Sequence, residues 1–310
     1  MKKRLIIIDS NAVIHRAFHA LPPLKTKKGE LVNALYGFLL VFLRVIKEFN
    51  PDFIAAVFDL PGPTFRHYKY KLYKANRPKT PDELCSQFPK VKDILRSFNV
   101  EVFEKQGFEA DDIIGAISKK ASKKQIFPEL ETIILSGDLD TLSMVDKYTK
   151  AYILRKGVKD IVLYDEEKVK EKYDGLLPSQ LTDLRALRGD ASDNIPGVFG
   201  IGEKTAISLI KKFNTLENLY EELRKNTDEI KPAVKQKLLD YKEQAFVSKT
   251  LAEIRYDAPV EFDLNKCKWG DYDREKMIKI FEDYNFKSLI SRISEAPKKE
   301  NESKKNLSLW

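Results

Sequence analysis

Three short apolar, β-branched runs lead straight into acids, and that repeat limits the chain more than any other feature. Residues 5–8 meet Asp9, residues 53–58 meet Asp59, and residues 132–135 pass through Ser136 and Gly137 to Asp138 and Asp140. A fourth run of the same kind covers residues 100–103, and longer stretches of helical period, such as 34–49 and 112–121, lie between the runs. Buried strands alternating with helices predict an α/β fold with a largely parallel sheet. Residues 152–154 and 161–164, joined by a glycine-bearing link, predict a hairpin that ends the sheet. In a parallel sheet the strand C-termini share one edge, where open α/β folds bind their ligands.

After the 100–103 run, Glu109, Asp111 and Asp112 stand just ahead of a helical stretch and bring the acids aimed at that edge to seven. A lone acid at a strand end is readily explained as a cap. Seven together are not, because two carboxylates 4 Å apart repel by roughly 4 kcal/mol at an effective dielectric of about 20. A cation should neutralise them. Oxygen donors without His or Cys select a hard ion, Mg²⁺ by default with Mn²⁺ as its substitute. Two such ions about 3.5–4 Å apart suit phosphodiester hydrolysis.

Two further segments point to nucleic acid. Residues 60–81 contain no acid, and Arg66, Lys69, Lys71, Lys74, Arg77 and Lys79 interleave there with Phe65, Tyr68, Tyr70 and Tyr73. Cations that track phosphates beside rings that stack on bases compose a single-strand surface; the plain alternative is a solvated basic helix with half-buried tyrosines. From 189 the chain reads Gly-Asp-Ala-Ser-Asp-Asn, then at 197 Gly-Val-Phe-Gly-Ile-Gly before Glu203-Lys204-Thr205 opens a helix. Glycines there allow backbone amides close to a phosphate, and the helix N-terminus favours an anion. The segment resembles the hairpin of helix-hairpin-helix DNA-binding modules, with a simple glycine turn as the alternative.

Charge agrees with this direction: 55 Lys plus Arg against 47 Asp plus Glu leave a formal +8, which favours polyanions. Cys85 and Cys267 are far apart and lack neighbours at zinc spacing, so neither a disulfide framework nor a zinc site is expected and a reducing cytoplasm is. The apolar run at 5–8 is too short for a signal peptide, and no stretch reaches membrane-spanning length.

Taken in order and spacing, Asp9-Ser10, Val57-Phe58-Asp59, Phe65-Arg66, residues 73–78, Glu109-Ala110-Asp111-Asp112, Gly137-Asp138-Leu139-Asp140, residues 189–194 and residues 200–205 resemble the 5′-nuclease (flap endonuclease) domain of bacterial DNA polymerase I. The resemblance spans roughly residues 4–293. It implies a PIN-like α/β core at 1–175 with a helical arch near 62–92, then a mainly helical domain at 176–293 of helix-three-turn-helix type, with its glycine hairpin near 189–206. It implies that Asp59, Glu109 and Asp111 hold one metal ion. Asp111, Asp138, Asp140 and Asp193 then hold or approach the second, with Asp9, Asp112 and Asp190 in support.

Lys74 would contact the scissile phosphate as an electrostatic catalyst, with Arg66 and Arg77 nearby. Tyr73, Lys69 and Lys71 on the arch, and Gly197, Gly200, Gly202, Lys204 and Thr205 on the hairpin, would meet DNA, with K⁺ at the hairpin carbonyls. The expected activity is structure-specific 5′-3′ exonuclease and flap endonuclease cutting in primer removal and repair. The protein would act as a monomer on branched or nicked DNA at the bacterial nucleoid. Ser10 replaces a common Gly, and Ser143-Met144 replaces a common Gln-Leu; neither position should be a ligand. A non-catalytic DNA-binding protein of the same shape would have lost several of these acids, and a small PIN-type ribonuclease would not need the arch and hairpin.

Residues 294–310 are polar and lysine-rich and predict a disordered tail, which ends Asn306-Leu307-Ser308-Leu309-Trp310. Leu307, Leu309 and Trp310 resemble the short motif by which bacterial replication proteins dock on the sliding clamp, with Asn for Gln and Trp for Phe. That reading makes the chain a stand-alone protein; chance packing of an apolar end is the alternative.

Overall fold

The computed structural model describes residues 2–122, 129–225 and 229–295, so the first two residues of the expected tail fall in a helix that ends at Glu295, while the rest of it and its clamp-docking end at Leu307, Leu309 and Trp310 lie outside the described residues. In chain order the strands are β1 (Lys3–Asp9), β2 (Phe53–Val57), β3 (Glu101–Phe103), β4 (Leu130–Ser136), β5 (Thr149–Lys156) and β6 (Asp160–Tyr164). The helices of the first half are α1 (Ser10–Ala20), α2 (Asn33–Phe49), α3 (Phe65–Lys69), α4 (Asp82–Cys85), α5 (Gln87–Ser97) and α6 (Ala110–Ala121). Those of the second are α7 (Glu166–Lys172), α8 (Leu181–Arg188), α9 (Glu203–Phe213), α10 (Leu216–Arg224), α11 (Pro232–Asp240), α12 (Lys242–Ala252), α13 (Arg274–Asp283) and α14 (Lys287–Glu295).

The sheet order is β3-β2-β1-β4-β5-β6, parallel except for β6, which pairs antiparallel with β5 at the edge. Alternation along β1 divides its apolar side chains between two layers. Ile6 and Ile8 join Ile54, Ala56, Ile133 and Leu135 beneath α1, α2 and α5. Leu5 and Ile7 face the other way, onto Ile113, Ile114 and Ile117 of α6. The register sets Asp9 level with Val57 and Ile8 level with Leu135, so the acids that follow these strands emerge together.

A third core joins β5, β6 and α7 to α8, α9 and α10 through Ala151, Ile153, Tyr164, Leu184, Ile210 and Leu219. The helical domain expected to run from 176 to 293 is shorter in packing terms. Beyond α12 the chain returns to the sheet: Ile254, Ala258 and Leu264 cover the α6 face, and Trp269, Met277, Phe281, Phe286 and Leu289 complete the α2 face. Trp269 N–H donates to Asp52 O at 2.9 Å, tying the return to the start of β2. Among the described residues no helix is long and apolar enough to cross a membrane.

The segment expected as a helical arch is helical only at α3, α4 and the start of α5, and residues 71–76 form turns. They lie on the 190–194 loop. Lys74 N–H donates to Asp193 O at 2.9 Å, Asn76 Nδ2 to Ala191 O at 2.7 Å and Asn194 Nδ2 to Leu72 O at 2.6 Å.

Candidate active site

Local backbone chemistry fixes the acids. Asp9 caps α1 through the N–H of Ala12 (3.1 Å) and takes a 2.6 Å hydrogen bond from Ser136 Oγ, whose oxygen also accepts Asp138 N–H at 2.9 Å. Asp59 accepts the N–H of Ala110 at 2.7 Å, which draws the end of β2 to the first residue of α6. Asp138 accepts Asp140 N–H at 2.9 Å in the turn after β4. Asp9, Asp59, Glu109, Asp111, Asp138 and Asp193, with Lys74, Arg77, Asn11 and His15, line one cavity of about 330 Å³.

The electrostatics are those of crowded carboxylates. Burial pushes Asp9 up to about 7, with Asp59 and Asp138 adding to the rise against the hydrogen bonds from Ser136 and Ala12. Burial likewise raises Asp140 to about 7, against the opposing Arg185 and with Asp138, Asp190 and Asp193 adding to it. Asp111 is held well above the carboxylate range by burial and by Asp9, Asp138 and Asp140, and Asp59 is raised by burial. Glu109 behaves in the opposite way: burial pushes it up, but Lys74 and Arg66 together bring it below its ordinary value.

The cations around the cavity already hold several acids. Lys74 Nζ lies 2.9 Å from Glu109 Oε2 and 3.8 Å from Asp193 Oδ2, while Arg77 pairs with Asp193 Oδ1 and Arg185 with Asp140. Lys74 holds this place on a left-handed backbone, φ +56°. Asp190 sits at the loop's edge, accepting the N–H and hydroxyl of Ser192. Among the described residues no three of the acids close around one point as a ready-made metal cage.

Several expected roles change. Arg66 and Asp112 are not in the cavity; they form a buried bidentate pair at 2.7 and 2.8 Å beneath it. Asp112 also accepts the N–H groups of Glu109 and Arg255, so its oxygens are fully engaged within the fold. Tyr73, expected to stack on DNA, is only 3% exposed and donates its hydroxyl to Glu109 at 3.0 Å, with Asp193 at 3.3 Å. Lys69 and Lys71 are exposed.

On the hairpin, Gly197 has φ +63°, and a Cβ there would lie 2.2 Å from Gly189 N. Its N–H donates to Ser248 Oγ and its carbonyl accepts from Gln244, which makes it a packing glycine rather than a phosphate contact. Gly200 O accepts the Lys237 ammonium at 3.0 Å, so a K⁺ ion at that carbonyl would have to displace or share with Lys237. Gly202 caps α9, and exposed Lys204 with half-buried Thr205 stands in its first turn.

Sequence reasoning missed Arg185, whose signal was its place on α8 just before the Gly189-Asp190 turn. Asn11 and His15, in the first and second turns of the helix that Asp9 caps, were missed as well, as was Phe199, 72% exposed in the hairpin.

Against known proteins, the model of the 5′-3′ exonuclease N-terminal resolvase-like domain matches residues 4–174, and that of the 5′-3′ exonuclease C-terminal SAM fold matches 176–275. The chain belongs to the 5′-3′ exonuclease family. It is 41% identical to DNA polymerase I of Bacillus subtilis over 295 residues, covering 95% of this chain and 32% of the polymerase. For DNA polymerase I of Caldicellulosiruptor bescii the identity is 40%, over 94% of this chain and 33% of the polymerase. This member thus spans about a third of the length of those relatives.

Among solved structures, a zinc-bound T5 5′-exonuclease superposes with a TM-score of 0.66 at 20% identity, covering 95% of this chain and 99% of that one. Flap endonuclease-1 from Methanococcus jannaschii gives 0.58 at 18%, covering 94% and 91%. At those identities the likeness is one of fold, a sheet core followed by a helical module.

Proposed function

We propose that this family member is a divalent-metal-dependent nuclease that holds DNA with a 5′ end or 5′ flap and hydrolyses a phosphodiester bond at the carboxylate cavity. The observation that carries the reading is the convergence of Asp9, Asp59, Glu109, Asp111, Asp138 and Asp193 on one open cavity, with Lys74 and Arg77 at its rim. The donors are oxygen only, and Asp111 stands among like charges, which fits hard cations. T5 5′-exonuclease has been seen with zinc bound; for this chain the donor set favours Mg²⁺, two ions, with Mn²⁺ able to substitute. Asp59, Glu109 and Asp111 would hold one ion and Asp111, Asp138, Asp140 and Asp193 the other, with Asp9 and Asp190 in support, once Lys74, Arg77 and Arg185 release the acids they pair.

When bound, such ions lower the pKa of a water and neutralise the phosphate it attacks. The chain's own residues do the rest. Lys74 turns from Glu109 to the scissile phosphate and stabilises the charge that develops there. Arg77, 48% exposed at its side chain, meets a neighbouring phosphate. Duplex backbone lies on the first turn of α9, where Lys204 and free amides at a helix N-terminus favour phosphate.

Primer removal and repair of flapped or nicked DNA in the bacterial cytoplasm, by a monomer, is the setting this chemistry suits. The deciding assay offers a 5′-labelled flap, a nicked duplex and single-stranded RNA, each with and without Mg²⁺. Preference for the flap supports the reading, and preference for RNA contradicts it. Docking of residues 306–310 on a bacterial sliding clamp is a separate proposal. It is tested by titrating a fluorescent 297–310 peptide, and its form with Leu307 and Trp310 changed to Ala, against the clamp.

A further inference from the structure

The Arg66–Asp112 pair makes hydrogen bonds beyond its own fork, and several lead in one direction. Besides its fork on Asp112, Arg66 donates through Nε to Leu251 O at 2.9 Å and through Nη2 to Glu253 O at 2.7 Å. Those carbonyls are the C-terminal end of α12. Toward the cavity, Asp112 accepts Glu109 N–H at 3.1 Å, and Nη1 lies 3.5 Å from Glu109 Oε2. Over its first two turns α12 grips the glycine hairpin, where Ser248 Oγ, midway along the helix, accepts Gly197 N–H at 3.0 Å and Gln244, near its start, donates to Gly197 O at 2.6 Å. The helix is therefore hydrogen-bonded to the hairpin through its first two turns and, through a buried ion pair at its C-terminal end, to a cavity acid.

Resting on the nuclease reading above, we propose that α12 and the Arg66–Asp112 pair act as a spacer that fixes which phosphate is cut, by setting the distance from the gripped duplex to Glu109 and Lys74. Arg66 and Asp112 are positioning residues in this role and touch neither substrate nor metal. The guanidinium fork is needed, since a lysine presents one ammonium to a site built for two parallel hydrogen bonds. A packed helix joined by a buried hydrogen bond to the hairpin and by another to the ion pair transmits position, because neither junction can shift without leaving a buried group unpaired.

The test maps the cleavage position on a 5′-labelled flap in the parent, in Arg66→Lys, in the paired apolar variant Arg66→Met/Asp112→Leu, and in Ser248→Ala/Gln244→Ala at the hairpin contact. The paired variant replaces a buried ion pair with apolar side chains, which costs far less than removing one partner alone, and thermal melts check that each variant is folded. Affinity for the flap duplex in EDTA is measured alongside, to read grip without cutting. The parent should give one dominant product, and all three variants should spread cutting to adjacent phosphates, with duplex affinity in EDTA falling less than twofold for the Arg66 and Asp112 variants.

Variants that cut more slowly at the parent's phosphate would overturn the spacer, as would spreading from the Arg66 side alone. A parent that fails to cut would instead sink the nuclease reading on which the inference stands, and the inference with it.

Discussion

Asp111 and Asp112 are neighbours in the first turn of α6 and meet opposite fates. Asp111 faces the cavity among Asp9, Asp138 and Asp140, opposed by Lys74, and its carboxyl is held well above the usual range, first by burial and then by those like charges. Asp112 points one position further round, is fully buried, and has Arg66 and two backbone N–H groups on its oxygens. One carboxylate is a charge the fold has left to be neutralised, and the other is already satisfied. Two identical residues side by side thus differ in what surrounds them, and changing each should move different observables.

The largest effect belongs to the cavity side. Asp138→Asn should lower flap cutting by roughly 10³-fold or more, since charge stabilisation at a reacting phosphate supplies several kcal/mol. DNA affinity should hold or tighten as one repelling charge leaves; cutting near the parent rate would remove Asp138 from the metal set. The comparison itself predicts opposite signs in urea unfolding without divalent ions. Arg66→Ala strands Asp112 and should cost about 3–5 kcal/mol, whereas Asp111→Asn removes a crowded charge and should stabilise. Equal destabilisation by both would erase the distinction drawn between them.

How much of this was legible in the sequence follows from the same contrast. Strand runs that end in acids gave away the parallel sheet, its shared edge and the convergence of Asp9, Asp59 and Asp138, because periodicity and strand direction are local properties. The partner of each acid is not local. Arg66 reaches Asp112 across 46 positions of chain, and Arg185 reaches Asp140 across 45. A basic, aromatic segment therefore looked like a DNA surface throughout, although Tyr73 and Arg66 within it are buried supports. The return of residues 254–293 to the sheet was hidden for a related reason: an amphipathic helix announces an apolar face without saying which core it covers.

Next in size, Lys74→Ala should slow cutting about 10²- to 10³-fold while flap affinity falls only a few-fold, because one phosphate contact among several contributes modestly. Matching losses in rate and affinity would reduce Lys74 to a binding residue.

A smaller effect follows from the raised carboxyls. Asp9 and Asp140 have ordinary values of 3.8 and folded values of about 7. Between those values the folded state binds more protons than the unfolded one, so their contribution to stability falls as pH rises through that window and stays low above it. Without divalent ions, the melting temperature of Asp9→Asn should therefore exceed the parent's by more at pH 8 than at pH 4. Millimolar Mg²⁺ should raise the parent's melting temperature more at pH 8 than at pH 5, since ionised carboxylates bind it. A pH-independent difference would show that these acids are not destabilised by burial among like charges. The smallest expected change is at the hairpin, where Lys204→Ala should reduce the salt slope of duplex binding by about 1, and an unchanged slope would remove Lys204 from the phosphate contacts.

The central claim, that the unneutralised acids around Asp111 form a metal-dependent cutting site, is tested most directly by single-turnover cleavage of a 5′-labelled flap with Mg²⁺ and with EDTA, using the parent and Asp111→Asn in parallel. The account predicts cutting near the flap junction by the parent with Mg²⁺ alone, and none by Asp111→Asn at protein concentrations that saturate the DNA. Cutting by the parent in EDTA, or by Asp111→Asn at the parent's rate, would contradict it.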